Sequence, residues 1–444
     1  RYGILTGRYS WRTEMKNGVT AGHSPHLISM DRETVASLLK KNDYNTAVVG
    51  KWHLGQDWTF VGESQSKPEV SGENVDFTQP IKNGPLDLGF DYYFGISASL
   101  NMPPHAYIEN RMVQGNLTYL TDREAVKAAG LVGAKEGWKA DNFNQDEVLA
   151  TFTKKTTDWI RKSYNETPEK PFFVYMPLNA PHAPIVPSEK FKGKSGIGDY
   201  GDFVMEVDWS VGEILKVVDE LDLVENTIVI FTADNGCSPQ AKFDKLHEYE
   251  HYPSYTFRGL KGSLWEAGHR VPFIVRWPDK VKKGKVSDYN ICTTDLMATI
   301  ADILNVELSD NMAEDSKSFL PVLLGEKLNN EARGGIVHHS DAGLFSIRKD
   351  KWKLVLATGG GSRRSNPKDK PVINPADIEL FDMNNDPGEL INVQHLHPEV
   401  VKELKVLLAK YIDDGRSTDG EIQANEPGKN WKQLEVLEGY VKNY

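Results

Sequence analysis

Apolar positions along the chain fall into two alternating periods. Asp31 can cap a helix whose Val35, Leu38 and Leu39 share one face, and Thr46–Val49 then forms a short apolar run closed by Gly50, the signature of a buried strand. The same order returns twice. Val148, Leu149, Phe152, Trp159 and Ile160 precede the run Phe172–Met176, and a helical pattern over about Phe203–Leu221 precedes Thr227–Thr232. Strands without polar alternation need cover on both faces, so the pattern predicts an α/β fold with a large, mostly parallel sheet between helices.

After Thr299 the pattern changes. From about Gly334 the chain offers short strand candidates (Ile336–His338, Leu344–Ile347, Lys353–Ala357 and Ile378–Phe381), then a helix over Val400–Ile412, which predicts a smaller antiparallel α+β domain. The expected boundaries are 1–333 for a catalytic domain and 334–444 for the small one. Gly359–Lys370, rich in Gly, Ser and Arg, reads as a mobile surface loop. The length of 444 residues gives ample core for two or three units.

Charge narrows the partners. With 52 Lys+Arg against 63 Asp+Glu, the net charge of −11 argues against nucleic acid or an anionic membrane as partner, and no apolar run reaches the roughly 20 residues of a membrane span. Cys237 and Cys292 permit one disulfide at most.

Four polar stretches lie at or beyond predicted strand ends, where α/β sheets tend to hold their sites. Lys51 and His53, two apart in Gly50–Gly55, share a face if the backbone is extended; a surface Lys and a core His are the alternative. His182 sits in a Pro-stiffened loop, Asn179–Pro184, and a structural histidine would look the same. Asp234-Asn235-Gly236 pairs two oxygen donors suited to a hard cation, or is a metal-free turn. Arg258–Ser263, carrying Lys261 between glycines, can hold an anion or be an exposed basic turn.

Together, in order and spacing, these stretches resemble a known family. Arg1-Tyr2-Gly3-Ile4-Leu5-Thr6-Gly7-Arg8 is similar to the second half of the sulfatase signature Cys/Ser-x-Pro-Ser-Arg-x-x-x-x-Thr-Gly-Arg, and Asp43–Gly55 to the family's second signature. Gly89–Gly95, Pro181-His182-x-Pro184, Asp234-Asn235-Gly236, the Lys261 loop, and Leu380-Phe381-Asp382 with Asp386-Pro387-x-Glu389 extend the likeness to type I, formylglycine-dependent sulfatases over nearly the whole chain. The resemblance implies an alkaline-phosphatase-like fold. Its nucleophile is a formylglycine made from a Cys or Ser four residues before Arg1, by a formylglycine-generating or sulfatase-maturating enzyme. The hydrated aldehyde attacks sulfur, the alcohol leaves, and sulfate is then expelled.

Carried over by position, Arg1 would hold the formylglycine, Lys51 would bridge it and the sulfate, and His53 would be the base for sulfate release. His182 and Lys261 would flank the bridging oxygen, with His182 as the acid. Ser99 would contact sulfate, and Asp234 and Asn235 would supply half of a Ca²⁺ site whose two Asp ligands lie upstream. His105 and His339 are candidates for contacting the sugar, and for His339 packing at the domain junction is the alternative. The expected substrate is a sulfated carbohydrate, a galactan such as carrageenan or a glycosaminoglycan, and the expected location is periplasmic or secreted, with a leader upstream of Arg1. Alternatives are a phosphoesterase or phosphonate hydrolase of the same superfamily, disfavoured by Asn235 where those enzymes carry His, and a non-catalytic binder of sulfated sugar.

Overall fold

The computed structural model describes residues 1–62, 72–326, 333–364, 366, 369–427 and 431–442. They form two compact units: Arg1 with Thr20–Glu225, and Tyr2–Val19 with Asn226–Tyr444.

The first unit contains β1 (Asn45–Lys51), β2 (Tyr92–Ile96), β3 (Ile108–Glu109), β4 (Met112–Val113), β5 (Leu117–Leu120), β6 (Gly137–Ala140) and β7 (Phe172–Tyr175). Five of these form one sheet in the order β4-β3-β2-β1-β7. β1 runs parallel to both β2 and β7, while β3 and β4 add an antiparallel edge; β5 and β6 pair separately. Val49 lies opposite Phe94 in the β1–β2 register, and both belong to a buried cluster with Val148 and Phe152 of the helix Val148–Glu166. Residues one step along a strand face the other way. On that other face Tyr93 meets Trp52, which meets Phe90, which stacks on Phe173. The sheet's apolar strands are thus covered on both sides, although β7, at the sheet edge, is only half-buried.

The helix Val35–Lys41 starts one residue after Thr34, not at Asp31. The Thr34 hydroxyl accepts from the Ser37 backbone N–H and the Ser37 hydroxyl accepts from the Thr34 N–H, a reciprocal capping box, whereas exposed Asp31 accepts from the Ser29 hydroxyl.

The second unit holds β8 (Val229–Thr232) and β9 (Phe273–Arg276), an antiparallel pair, and the antiparallel sheet β10 (Ile336–His339), β11 (Phe345–Lys349), β12 (Trp352–Val355) and β13 (Glu379–Asp382). Leu404, Leu408 and Ile412 of the helix Pro398–Asp413 pack on Phe345, Ile347, Leu354 and Leu380 of that sheet. Tyr9 and Trp11 join the same core. This explains why the segment Tyr2–Val19 groups with the C-terminal unit rather than with its sequence neighbours. The expected boundary at 333/334 falls just before β10, inside this unit. The Gly359–Lys370 stretch departs from a plain surface loop: Gly360 and Gly361 are buried, and the Gly360 carbonyl accepts from the Leu264 N–H; residues 365, 367 and 368 of it lie outside those described. Cys237 and Cys292 are not joined in a disulfide. Among the described residues, no helix is long and apolar enough to cross a membrane.

Candidate active site

Lys51 is the last residue of β1 and only 3% exposed. Its backbone N–H donates to the Pro177 carbonyl at 2.7 Å. That approach is possible because residue 50 is glycine, where a Cβ would sit 2.3 Å from the Pro177 oxygen. The Lys51 ammonium donates to Ser99 Oγ at 2.7 Å. Ser99 Oγ lies 3.2 Å from His182 Nδ1, whose other neighbour is the Ala183 carbonyl. A carbonyl only accepts, so Nδ1 carries a hydrogen. Arg1 ties the same strand ends together, donating from Nε to the Lys51 carbonyl at 3.1 Å and from Nη2 to the Leu178 carbonyl at 3.5 Å.

His53 completes the cluster. Its backbone sits in the left-handed region at φ 56°, held by its N–H donating to Ser97 O at 2.9 Å, a conformation that costs a non-glycine residue about 1 kcal/mol or more. Its Nε2 lies 2.8 Å from the Thr20 carbonyl, so Nε2 bears the hydrogen and Nδ1 can accept a proton. Burial, then the charges of Lys51 and Arg1, hold the His53 imidazolium well below the usual histidine range. The ring is therefore neutral at pH 7, as a base must be. Thr20 left no trace in the sequence reading, because it acts through a backbone carbonyl that any residue could supply.

In the second unit Asp234 and Asn235 follow β8 after Ala233, and the Asn235 amide donates to Asp234 Oδ1. Gly236 donates its N–H to the Gly268 carbonyl at 3.0 Å, and a Cβ there would stand 1.6 Å from the Ala267 oxygen, so only glycine permits this packing. The Lys261 N–H donates to the Cys237 carbonyl at 2.9 Å. The Asp234 loop and the Lys261 loop are thus fastened to each other. A carboxylate and a carboxamide oxygen side by side fit a hard cation. Among the described residues no group of three or more His, Cys, Asp or Glu could by itself hold a metal.

His105 is 1% exposed, with Nε2 against the Lys135 carbonyl and its backbone bonded to Trp138 and Ala140. It is a packed residue of the first unit. His339, in β10, lies against Phe345 at a ring separation of 5.1 Å, and burial lowers its pKa to about 4. Its neighbour His338 stacks on His269 at 3.5 Å.

Comparison with known proteins agrees with this chemistry. The sulfatase family profile matches residues 1–306. The chain is 33% identical to an N-acetylgalactosamine-6-O-sulfatase of Bacteroides thetaiotaomicron, over 92% of this chain and 82% of the relative. It is 28% identical to human arylsulfatase A, over 95% and 80% of the two chains. A solved structure from work on the metabolism of multiple glycosaminoglycans by Bacteroides thetaiotaomicron aligns with a TM-score of 0.75 and 32% identity, covering 92% of this chain and 87% of that one. The mostly parallel sheet and the C-terminal antiparallel sheet are shared with that neighbour. A match over more than half the chain, and a relative one-third identical along nine-tenths of it, establish that the chain belongs to the sulfatase family and is a sulfuric ester hydrolase.

Proposed function

We propose that this protein removes the sulfate ester of a sulfated sugar of glycosaminoglycan type, with the 6-position of an N-acetylgalactosamine unit as first candidate. The observation that supports it most is the hydrogen-bonded chain Lys51–Ser99–His182 beside Arg1 and His53 at the ends of parallel strands. The relative named N-acetylgalactosamine-6-O-sulfatase favours an amino-sugar over a carrageenan-like galactan.

In this reading Lys51 and Arg1 supply fixed positive charge where negative charge builds on the sulfuryl oxygens, which lowers the barrier more than it strengthens ground-state binding. His182, with Nδ1–H donated to Ala183 O, would as imidazolium pass its Nε2 proton to the leaving sugar oxygen and end as the neutral ring. His53, held neutral and anchored through Nε2, takes a proton on Nδ1 during sulfate release. By the family resemblance Lys261 would flank the bridging oxygen, and Ser99 orients both Lys51 and the His182 ring. Formylglycine four residues before Arg1, installed by a maturating enzyme, would supply the electrophilic aldehyde whose hydrate is the nucleophile. Asp234 and Asn235 would hold one Ca²⁺ through their side-chain oxygens, and the ion would polarise a sulfuryl oxygen. The protein would work in the periplasm or outside the cell.

The test is a screen of the full-length protein against defined saccharides sulfated at one position each, with released sulfate measured. Preferred turnover of the 6-sulfated N-acetylgalactosamine compound is expected. Equal or better turnover of a carrageenan or 4-sulfated compound would reassign the substrate.

A further inference from the structure

The short helix Glu266–His269 and the Asp386-Pro387-x-Glu389 motif, which the catalytic reading leaves without a task, meet on a single lysine in the second unit. Lys353, in the middle of β12, is wholly buried. Its ammonium ion-pairs with Glu389 Oε1 at 2.7 Å and donates to Glu266 Oε1 at 3.0 Å, and it lies 2.9 Å from His269 Nε2, which also faces the Leu264 carbonyl. Glu389 uses its second oxygen to accept the Glu266 backbone N–H at 2.6 Å. It does so from a left-handed backbone, φ 53°, a conformation unfavourable for glutamate. Glu266 and Glu389 are as fully buried as the lysine.

What this triad holds is the short helix Glu266–His269. That helix carries Gly268, the acceptor for Gly236, which follows Asp234 and Asn235 directly; the loop before it carries Lys261, bonded back to Cys237. We infer that Lys353, with Glu266 and Glu389, is a positioning device for Asp234, Asn235 and Lys261, clamping their two loops to the antiparallel sheet. The inference rests on the proposed reading of those three as site residues. Lys353 touches no reacting group in it; it acts through the helix Glu266–His269.

The physical logic is that of buried charge. A buried lysine between two buried carboxylates is held where both ion pairs are kept, and the two carboxylates facing each other without it would repel. The clamp therefore keeps the helix in one place, and the loops hydrogen-bonded to it inherit that precision. Partners that orient site groups from behind are typically worth about 10- to 100-fold in metal affinity or activity.

Lys353→Met strands the Glu389 carboxylate, while Glu266 keeps Arg270 and Arg348, and is the severe variant. Lys353→Met with Glu389→Gln removes one charge of each sign, and Glu389→Gln alone is isosteric, so these two keep the fold testable. Hydrogen exchange followed by mass spectrometry on the full-length protein reads the clamp without assuming any activity. Faster exchange at Gly236 and Lys261 is expected in the double variant, with β10 and β11 as protected as in the wild type and sulfate-ester turnover down about 10-fold or more. Exchange at those two amides unchanged, or raised equally across the whole sheet, would overturn the inference. Wild-type protein with no sulfatase activity, but with the localised exchange change, would instead defeat the proposed function and leave the clamp standing.

Discussion

Two buried lysines, Lys51 and Lys353, illustrate opposite uses of the same side chain. Lys353 is neutralised on the spot by Glu266 and Glu389. Burial alone would raise Glu266, yet Lys353, His269 and Arg348 hold it below the usual carboxylate range, while burial and the neighbouring Glu266 push Glu389 up. Lys51 instead donates to a serine hydroxyl, and it joins Arg1 and His182 in depressing His53. A cation surrounded by carboxylates serves the fold. A cation gathered with other cations suits the binding of an anion, the use proposed for Lys51.

The largest expected effect separates these roles. Lys51→Met should reduce kcat/KM for a sulfate ester by about 10³-fold, in the range for removing a transition-state charge donor, with Tm unchanged or slightly raised. Lys353→Met should do the reverse to stability, costing about 3–5 kcal/mol because it strands the buried Glu389 carboxylate. Calorimetry and steady-state kinetics on both variants measure this, and equal Tm losses would erase the distinction.

His182→Ala should lower turnover of sugar sulfates by about 10²- to 10⁴-fold, the usual worth of general acid catalysis, and hurt a nitrophenyl sulfate far less because that alcohol leaves without a proton. Equal losses on both substrates would remove His182 from the acid role. Chelation of Ca²⁺ should reduce activity reversibly, and Asp234→Ala should make the loss permanent; stoichiometric zinc with activity surviving Asp234→Ala would contradict the oxygen-ligand reading.

A smaller effect concerns His53. Because burial first, then Lys51 and Arg1, depress its pKa, the folded chain binds fewer protons than the unfolded chain below about pH 6.5, and this contribution to stability falls as pH drops through that window. Lys51→Met should move the His53 titration upward in an NMR experiment. A titration unmoved would mean that Lys51 does not sense His53. Smallest of all, Thr34→Ala should cost about 1 kcal/mol by removing the capping box, visible as a lower Tm with kinetics intact.

What was legible in the sequence was local. A strand ending in Gly50-Lys51 and a Pro-flanked His182 declare themselves within a few residues, and the order of such stretches gave the family resemblance. The Lys51–Ser99 bond was less visible, because it depends on β1 and β2 lying parallel with Lys51 opposite Ile96. His105 looked like a sugar contact because its prolines suggested a rigid loop, but burial is a property of the packed unit. Asp31 and Thr34 are equally good caps by composition, and the choice fell to Thr34 because Ser37 stands three residues on to reciprocate. Lys353 had the poorest signal: it stands between Trp352 and Leu354 with its carboxylate partners 87 and 36 residues away along the chain.

The central claim, that the cationic cluster around Lys51 exists to hydrolyse a sulfate ester, has one direct measurement. Sulfate released from N-acetylgalactosamine 6-sulfate is quantified for the full-length wild type and for Lys51→Met, alongside phosphate or phosphonate released from matched esters. Catalytic release of sulfate by the wild type alone, with the phosphorus esters turned over much more slowly, is the expected result. Faster hydrolysis of the phosphorus esters, or sulfate release undiminished in Lys51→Met, would contradict it.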